Sequence, residues 1–380
     1  MNKDLLEDYF TRTEIFNQPE LWIKTYEKIL IELQAIKNFL NGILSRENLE
    51  IILTGAGTSA FIGDVLEGSF QKGLNTTTKA ISTTNLVTHP EFYLNKNKPL
   101  LLVSFARSGN SPESSKAIEL SEIICKEVYH LVITCSDTST LIDSLNRKKS
   151  YLFVLPDKSN DKGLAMTASF TSMLLTGLLI SNYQKAEELN GEIKILSGYG
   201  DRILNEYSEK LKEVSKIDFE RAVFLGSGPL KGIARESHLK LQELTDGKVI
   251  CKHDSFLGFR HGPKAVVNEK SLLVYLFSNN KYVNRYELDL VNAINEGRKP
   301  VYTIGIMEKK IDGLEMSLPI ILSDKGNPLN EDFLSVPLIL PAQLIGFYKS
   351  INLGLNPDSP SADGMISRVV EGVELYPYKK

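Results

Sequence analysis

From Gln18 to Leu44 apolar residues recur at steps of three and four (Trp22, Tyr26, Ile29, Leu30, Leu33, Ile36, Leu40, Leu44). That spacing predicts one long amphipathic helix, with Pro19 in its first turn. Beyond it, short apolar runs at 50–54, 100–103, 130–134 and 151–155 alternate with helical periodicity, and a helix is expected from Thr140. Residues 165–181 form an apolar stretch rich in small and hydroxyl residues, which predicts a buried helix or a subunit contact. A connecting helix or helix pair is expected over 187–214, after which the pattern restarts. A strand at 222–225, a glycine turn at 226–229 and a helix over 230–244 are followed by strands at 272–277 and 301–306. Strands alternating with helices predict an α/β fold with a parallel, doubly wound sheet. The restart, roughly 170 residues on and far beyond solenoid periods, predicts a duplicated domain.

Two turns in the first half carry candidate chemistry. Gly55-Ala56-Gly57-Thr58-Ser59-Ala60 follows a strand and opens a helix, the context of a dinucleotide fingerprint. That fingerprint needs an acidic residue near the end of the next strand to hold the ribose, and residues 76–84 (TTTKAISTT) contain none. NAD is therefore disfavoured, and a glycine turn with the Thr58 and Ser59 hydroxyls suits the approach of a sugar equally well. The second turn follows a buried strand expected to break at Ser104. It runs through Arg107, Ser108, Gly109, Asn110 and Ser111 to Pro112, with Ser111 as N-cap and Pro112 as first helical residue. Amides at a helix start, with the hydroxyls of Ser108, Ser111 and Ser114, can cradle a phosphate. An ordinary capped loop fits that stretch equally well.

Composition narrows the class. The 380 residues are 42% hydrophobic and 24% charged, as in a folded globular protein, and the length suggests two domains. A net charge of −3 offers no basic face for nucleic acid. Cys125, Cys135 and Cys251 are scattered, which fits buried thiols in a reducing cytoplasm, and the histidines lack zinc spacing, so no metal is expected. The N-terminal segment has several acidic residues and no signal-like apolar run, and no stretch of about 18 apolar residues is evident to span a membrane. A cytoplasmic location is expected.

Ionisable residues gather in the second half. Glu236, Lys240 and Glu243 share one face of the helix after the second glycine turn. An exposed Glu–Lys pair with a solvated Glu is the bland account of that spacing. A histidine at a Gly-Pro corner follows, Phe259-Arg260-His261-Gly262-Pro263. With a carboxylate face and a phosphate turn, His261 supplies an acid–base pair able to move protons on a sugar.

Taken in order, Gly55-Ala56-Gly57-Thr58-Ser59, Ser108-Gly109-Asn110-Ser111, Glu236-x3-Lys240-x2-Glu243 and His261-Gly262-Pro263 resemble the sugar isomerase (SIS) superfamily. SFARSGNSPES, LGFRHGPK and NPDSPSADGMISRVVEGVELYPY are more particularly similar to its AgaS-like branch of tagatose-6-phosphate ketose/aldose isomerases, also described as galactosamine-6-phosphate deaminases. The resemblance implies two tandem SIS domains, each a parallel sheet flanked by helices, in a homodimer or higher homo-oligomer. The expected boundaries are a helical arm at 1–45, SIS domains at 46–185 and 216–355, a connector at 186–215 and a tail at 356–380 that could lie back over a site. By similarity to the isomerase half of glucosamine-6-phosphate synthase, Ser59, Ser108, Ser111 and the intervening amides hold a 6-phosphate. Arg107 stands where that relative has a glutamine. Glu243 matches the base acting at C2, His261 the ring-opening histidine given by a neighbouring subunit, and Lys240 and Glu236 the groups that position and polarise the substrate. Gly57, Thr58, Gly109, Asn110 and Ser114 complete the expected binding set.

There are departures from that relative. Its tail lysine has Arg368 as the nearest counterpart, and an arginine does not readily form an imine, which argues against a Schiff-base step. The chain starts with a helix and no nucleophilic cysteine, so ammonia is expected to be released, not consumed. The implied activity is conversion of galactosamine 6-phosphate to tagatose 6-phosphate and ammonia, with no cofactor, because the substrate carbonyl itself acidifies the neighbouring proton. Aldose–ketose isomerisation without deamination is the alternative. A sugar-phosphate-binding regulator is a further one, set against by the acid–base residues and by the lack of a helix-turn-helix in the first 45 residues.

Overall fold

Among the described residues, ten strands form two parallel five-stranded sheets. The computed structural model describes residues 6–323, 326, 328–361, 363–368 and 372–378. Residues 1–5 of the N-terminal arm, and 362, 369–371 and 379–380 of the tail, lie outside the described residues. The first sheet comprises β1 (Glu50–Thr54), β2 (Thr78–Ala80), β3 (Leu100–Ala106), β4 (Val128–Thr134) and β5 (Ser150–Val154). The second comprises β6 (Arg221–Gly226), β7 (Ile250–Asp254), β8 (Ser271–Leu276), β9 (Tyr302–Met307) and β10 (Leu318–Ile321). Their orders, β2-β1-β3-β4-β5 and β7-β6-β8-β9-β10, are the same path taken twice. The chain divides into two compact units, each assembled from separate segments.

The first-sheet unit contains Glu20–Asp161, Ala168–Gly191 and Gly364–Lys380. All seven residues of β3 are buried. The expected break at Ser104 does not occur, because Ser104 pairs with Thr54 of β1 on one side and Val132 of β4 on the other. With both backbone ladders complete, one buried hydroxyl does not end a strand. Helix α1 (Gln18–Leu44) matches its periodic pattern, and from Glu20 onward it lies in this unit. Its Trp22 is fully buried and donates its indole N–H to Thr171 Oγ1 at 3.0 Å, although Leu30 and Leu44 are only half-buried. Helix α2 (Thr58–Gly73) follows the first glycine turn, and α3 (Pro112–Ile124) follows the serine turn. Ala117, Ile118 and Leu120 of α3 pack on Ile52, Leu102 and Val132 of the sheet. Every residue of α4 (Ala168–Ser181) is buried. The helix expected from Thr140 is a single turn, Thr140–Asp143.

The second-sheet unit contains Met1–Pro19, Lys162–Thr167 and Glu192–Asp363. The stretch after residue 190 resolves into helices Asn190–Arg202 and Ser208–Lys216, joined through a wider π turn at Ile203–Tyr207. Helix α5 (Pro229–Leu244) follows the second glycine turn, α6 (Lys281–Asn295) follows β8, and α7 (Leu340–Asn352) packs against α5. Contrary to expectation, Glu331–Asn352 is long and apolar enough to cross a membrane by length and composition. Its most apolar 18 residues are 94% buried here, which fits a core element. The unit also ties the two ends of its chain together: Thr11 Oγ1 donates to Asp358 Oδ1 at 2.7 Å, and Gln18 Nε2 to Gln343 Oε1 at 2.7 Å.

Candidate active site

In an open parallel sheet, ligands bind outside the carboxyl ends of the strands, where the strand order reverses direction. The first sheet reverses between β1 and β3, and the two turns predicted from sequence leave from those two ends. Gly57 (φ 54°, ψ −128°) leads into α2, where Thr58 and Ser59 are buried in the first turn. Gly228 before α5 repeats that conformation (φ 55°, ψ −128°), a left-handed region open to glycine, so the duplication extends to single backbone angles.

The serine turn is braced from outside. Gly109 has φ 68°, and a Cβ there would sit 2.3 Å from Ser139 Oγ. Its carbonyl accepts from the Leu141 N–H (3.1 Å) and from Thr140 Oγ1 (3.2 Å), while Asn110 Oδ1 accepts from the Thr140 N–H (3.2 Å). The Asn110 N–H donates to Ser108 Oγ at 3.2 Å, so that amide is engaged within the turn. Ser111 occupies the N-cap position before Pro112, but its hydroxyl makes no capping bond. Ser114 is buried one turn into α3. Arg107 is buried and donates to the backbone carbonyl of Arg368 at 2.6 Å. The Arg368 guanidinium itself turns to the loop before α4, binding Asn160 Oδ1 (2.8 Å) and the Asp161 carbonyl (2.9 and 2.6 Å). The tail thus meets the turn through a carbonyl, with its cation engaged elsewhere.

The counterpart turn after β8 is filled by the protein's own carboxylates. The Ser278 N–H donates to both Glu287 oxygens (3.2 and 3.4 Å), Ser278 Oγ donates to Glu331, and Asn279 Nδ2 donates to Glu308 Oε2 (2.8 Å). Glu287 is fully buried, and burial pushes its carboxyl up to about 7 although Asn284, Ser227 and Ser278 bond to it. A carboxyl raised from about 4.5 to about 7 costs no stability below the lower value and a growing amount above it, complete near pH 7. Urea unfolding should therefore show stability falling by up to about 3 kcal/mol between pH 4.5 and pH 7 from this group. Glu287→Gln should remove that part of the slope; an unchanged slope would contradict the assignment.

On α5 the carboxylate face is buried, unlike the exposed pair that its spacing also allowed. Glu236 and Lys240 are fully buried, with Lys240 Nζ 3.3 Å from Glu236 Oε1 and 2.6 Å from Glu243 Oε2. Burial works against the ammonium, but the two carboxylates outweigh it and hold the pKa of Lys240 above the ordinary lysine range. Glu243 alone of the three keeps a partly exposed side chain, at 25%. The helix is held from behind by α7, where a Cβ on Gly346 would lie 3.3 Å from the Lys240 carbonyl. Alongside, the rings of His238 and His253 lie 4.6 Å apart, tilted by 33°, and burial is the chief reason both sit below the usual imidazole range. His261 follows a short helix (Phe256–Phe259) whose two phenylalanines are fully buried, with Ser255 Oγ accepting the Gly258 N–H at 3.0 Å. Its own ring is exposed. The structure joins Glu236, Lys240 and Glu243 into one array and Arg107–Ser114 into another, in different units; among the described residues His261 bonds to neither. No group of three or more metal-binding side chains occurs among the described residues. Ser139 and Thr140, which brace the turn, and Asn160 and Asp161, which hold Arg368, carried no sequence signal, since they reach their partners only through the fold.

Two parallel five-stranded sheets of one strand order, each flanked by helices, are the architecture of the sugar isomerase (SIS) superfamily. No family model matches the chain. It is 40% identical to the D-galactosamine-6-phosphate deaminase AgaS of Shewanella sp. (strain ANA-3), over 98% of this chain and 93% of that one. It is 38% identical to the Escherichia coli protein of the same name, over 97% and 96%. The solved structure of tagatose-6-phosphate ketose/aldose isomerase from Escherichia coli superposes with a TM-score of 0.90 at 35% identity, covering 98% of each chain. The chain belongs to the AgaS family.

Proposed function

We propose that the protein converts galactosamine 6-phosphate and water to tagatose 6-phosphate and ammonia. The observation that carries this reading is the Glu236–Lys240–Glu243 array, in which a buried cation holds one partly exposed carboxylate in place. The Ser59, Ser108 and Ser111 hydroxyls hold the 6-phosphate, with Thr58, Ser114, the turn backbone and Arg107 around them. His261 assists ring opening, which exposes the C1 aldehyde. Glu243 then takes the C2 proton, acidified by that carbonyl, and C1 is reprotonated to leave a ketimine at C2. Water adds to the ketimine and ammonia departs. These steps use only side chains and substrate, so the reading calls for no cofactor. Burial of the base array and the names of the Shewanella and Escherichia coli relatives support it.

The same proton transfer on an unaminated sugar is an aldose–ketose isomerisation, favoured by the name of the Escherichia coli solved structure. Incubation with galactosamine 6-phosphate and glucosamine 6-phosphate, with assays for ammonia and ketose phosphate, separates the two. Ammonia with tagatose 6-phosphate is expected. Interconversion of tagatose and galactose 6-phosphates without ammonia from either hexosamine would replace deaminase by isomerase, and binding without turnover would make the protein a regulator. The same reading includes a homo-oligomer in which His261 serves a neighbouring subunit, SIS cores at 46–185 and 216–355, and a cytoplasmic location that suits the free thiols of Cys125, Cys135 and Cys251.

A further inference from the structure

The second-sheet unit contains a cavity of about 480 Å³ beside the loop that carries His261. Val267, Ala293 and Ile294 form an apolar lining, and Arg260, Lys264 and Arg298 bring three positive charges to it. No acidic side chain lines it, and none of these three cations has a side-chain hydrogen bond or ion pair among the described residues. Elsewhere in the unit Lys240, Lys270 and Arg202 are each paired with a carboxylate. Three like charges around one apolar hollow repel one another, and in a chain of net charge −3 an overall basic composition does not account for them.

We propose that this cavity binds a small organic phosphate monoester as an effector. Two guanidinium forks and an ammonium suit the phosphate oxygens, the apolar lining suits the carbon body of the ester, and the volume is that of a small-molecule site. Gly262 (φ 110°), next to His261, also lines the cavity, so an occupant restrains the backbone of that loop. Any effect on turnover rests on the role proposed for His261; the binding site itself does not.

Full-length protein titrated calorimetrically with phenyl phosphate should bind two molecules per chain, one of them in this cavity. Arg298→Glu should weaken that second event at least tenfold. Ala293→Trp, which fills the hollow without touching the charges, should do the same. Inorganic phosphate should bind the cavity at least tenfold more weakly than phenyl phosphate. Hydrogen exchange of the amides of Arg260, His261, Gly262 and Lys264 should slow at least threefold with phenyl phosphate in the wild type and in neither variant. The loop readout depends neither on activity nor on the serine turn, so failure of the deaminase reading leaves it intact. One binding event in all three proteins with no loop protection would overturn the proposal. Equal binding of inorganic phosphate would remove the ester from it. A shift of oligomeric state in Arg298→Glu with phenyl phosphate binding unchanged would show a subunit contact instead, and would also overturn it.

Discussion

Glu243→Gln is expected to lower ammonia release from galactosamine 6-phosphate by about 10²–10⁴-fold, the usual worth of a positioned general base. One oxygen of Glu243 accepts from Lys240 Nζ at 2.6 Å, while a quarter of the side chain stays exposed. The carboxylate is thus fixed at one end and open at the other. Glutamine keeps the shape and can still accept from Lys240 but cannot take a proton, so the sugar phosphate should bind with little change. In deuterated water the wild type should place deuterium at C1 of the tagatose 6-phosphate, and the variant should lose exchange at C2 together with ammonia release. Persistent C2 exchange in Glu243→Gln would assign the base elsewhere.

Lys240→Met should cost about 3–5 kcal/mol of stability, the range found when one partner of a buried ion pair is removed. Methionine fills much of the same volume, so the loss is mainly electrostatic: Glu236 stays fully buried without the ammonium 3.3 Å away. Such a carboxylate escapes its penalty by binding a proton, which raises its folded pKa above the unfolded value. The deficit should accordingly be smaller at pH 5 than at pH 8. Lys240→Met combined with Glu236→Leu should recover much of the loss, because removing both partners leaves no buried charge from the pair. Urea unfolding of the two singles and the double at both pH values checks this. A loss below about 1 kcal/mol for Lys240→Met would mean that the array is far better hydrated than its burial indicates.

Much of this was legible in the sequence because it depends on local chemistry. The apolar runs of β1, β3 and β8 are buried on both faces and read as strands without help from the fold. Gly57, Gly109 and Gly262 mark positive φ angles that other residues rarely adopt. Short edge strands such as β7 (ICKHD) and β2 (TKA) escaped, since a polar strand paired on one side has no apolar run to show. The spacing of Glu236, Lys240 and Glu243 placed them on one face but not inside the protein; their burial follows from the packing of α7 on α5, which no local pattern encodes. The engagement of Arg368 with Asn160 and Asp161 is likewise a long-range outcome.

The ties from Thr11 to Asp358 and from Gln18 to Gln343 also have a consequence for synthesis on the ribosome. The second-sheet unit cannot close until almost the whole chain has been made, because its earliest residues bond to some of its latest. Meanwhile β6 to β10 must wait with one covering helix missing, and the apolar stretch Glu331–Asn352 emerges only near the end. A nascent chain stalled before that point presents unfinished apolar surface of the kind that recruits chaperones or aggregates. Premature stops that remove Glu331–Asp358 should therefore yield insoluble product, and not a trimmed but folded protein.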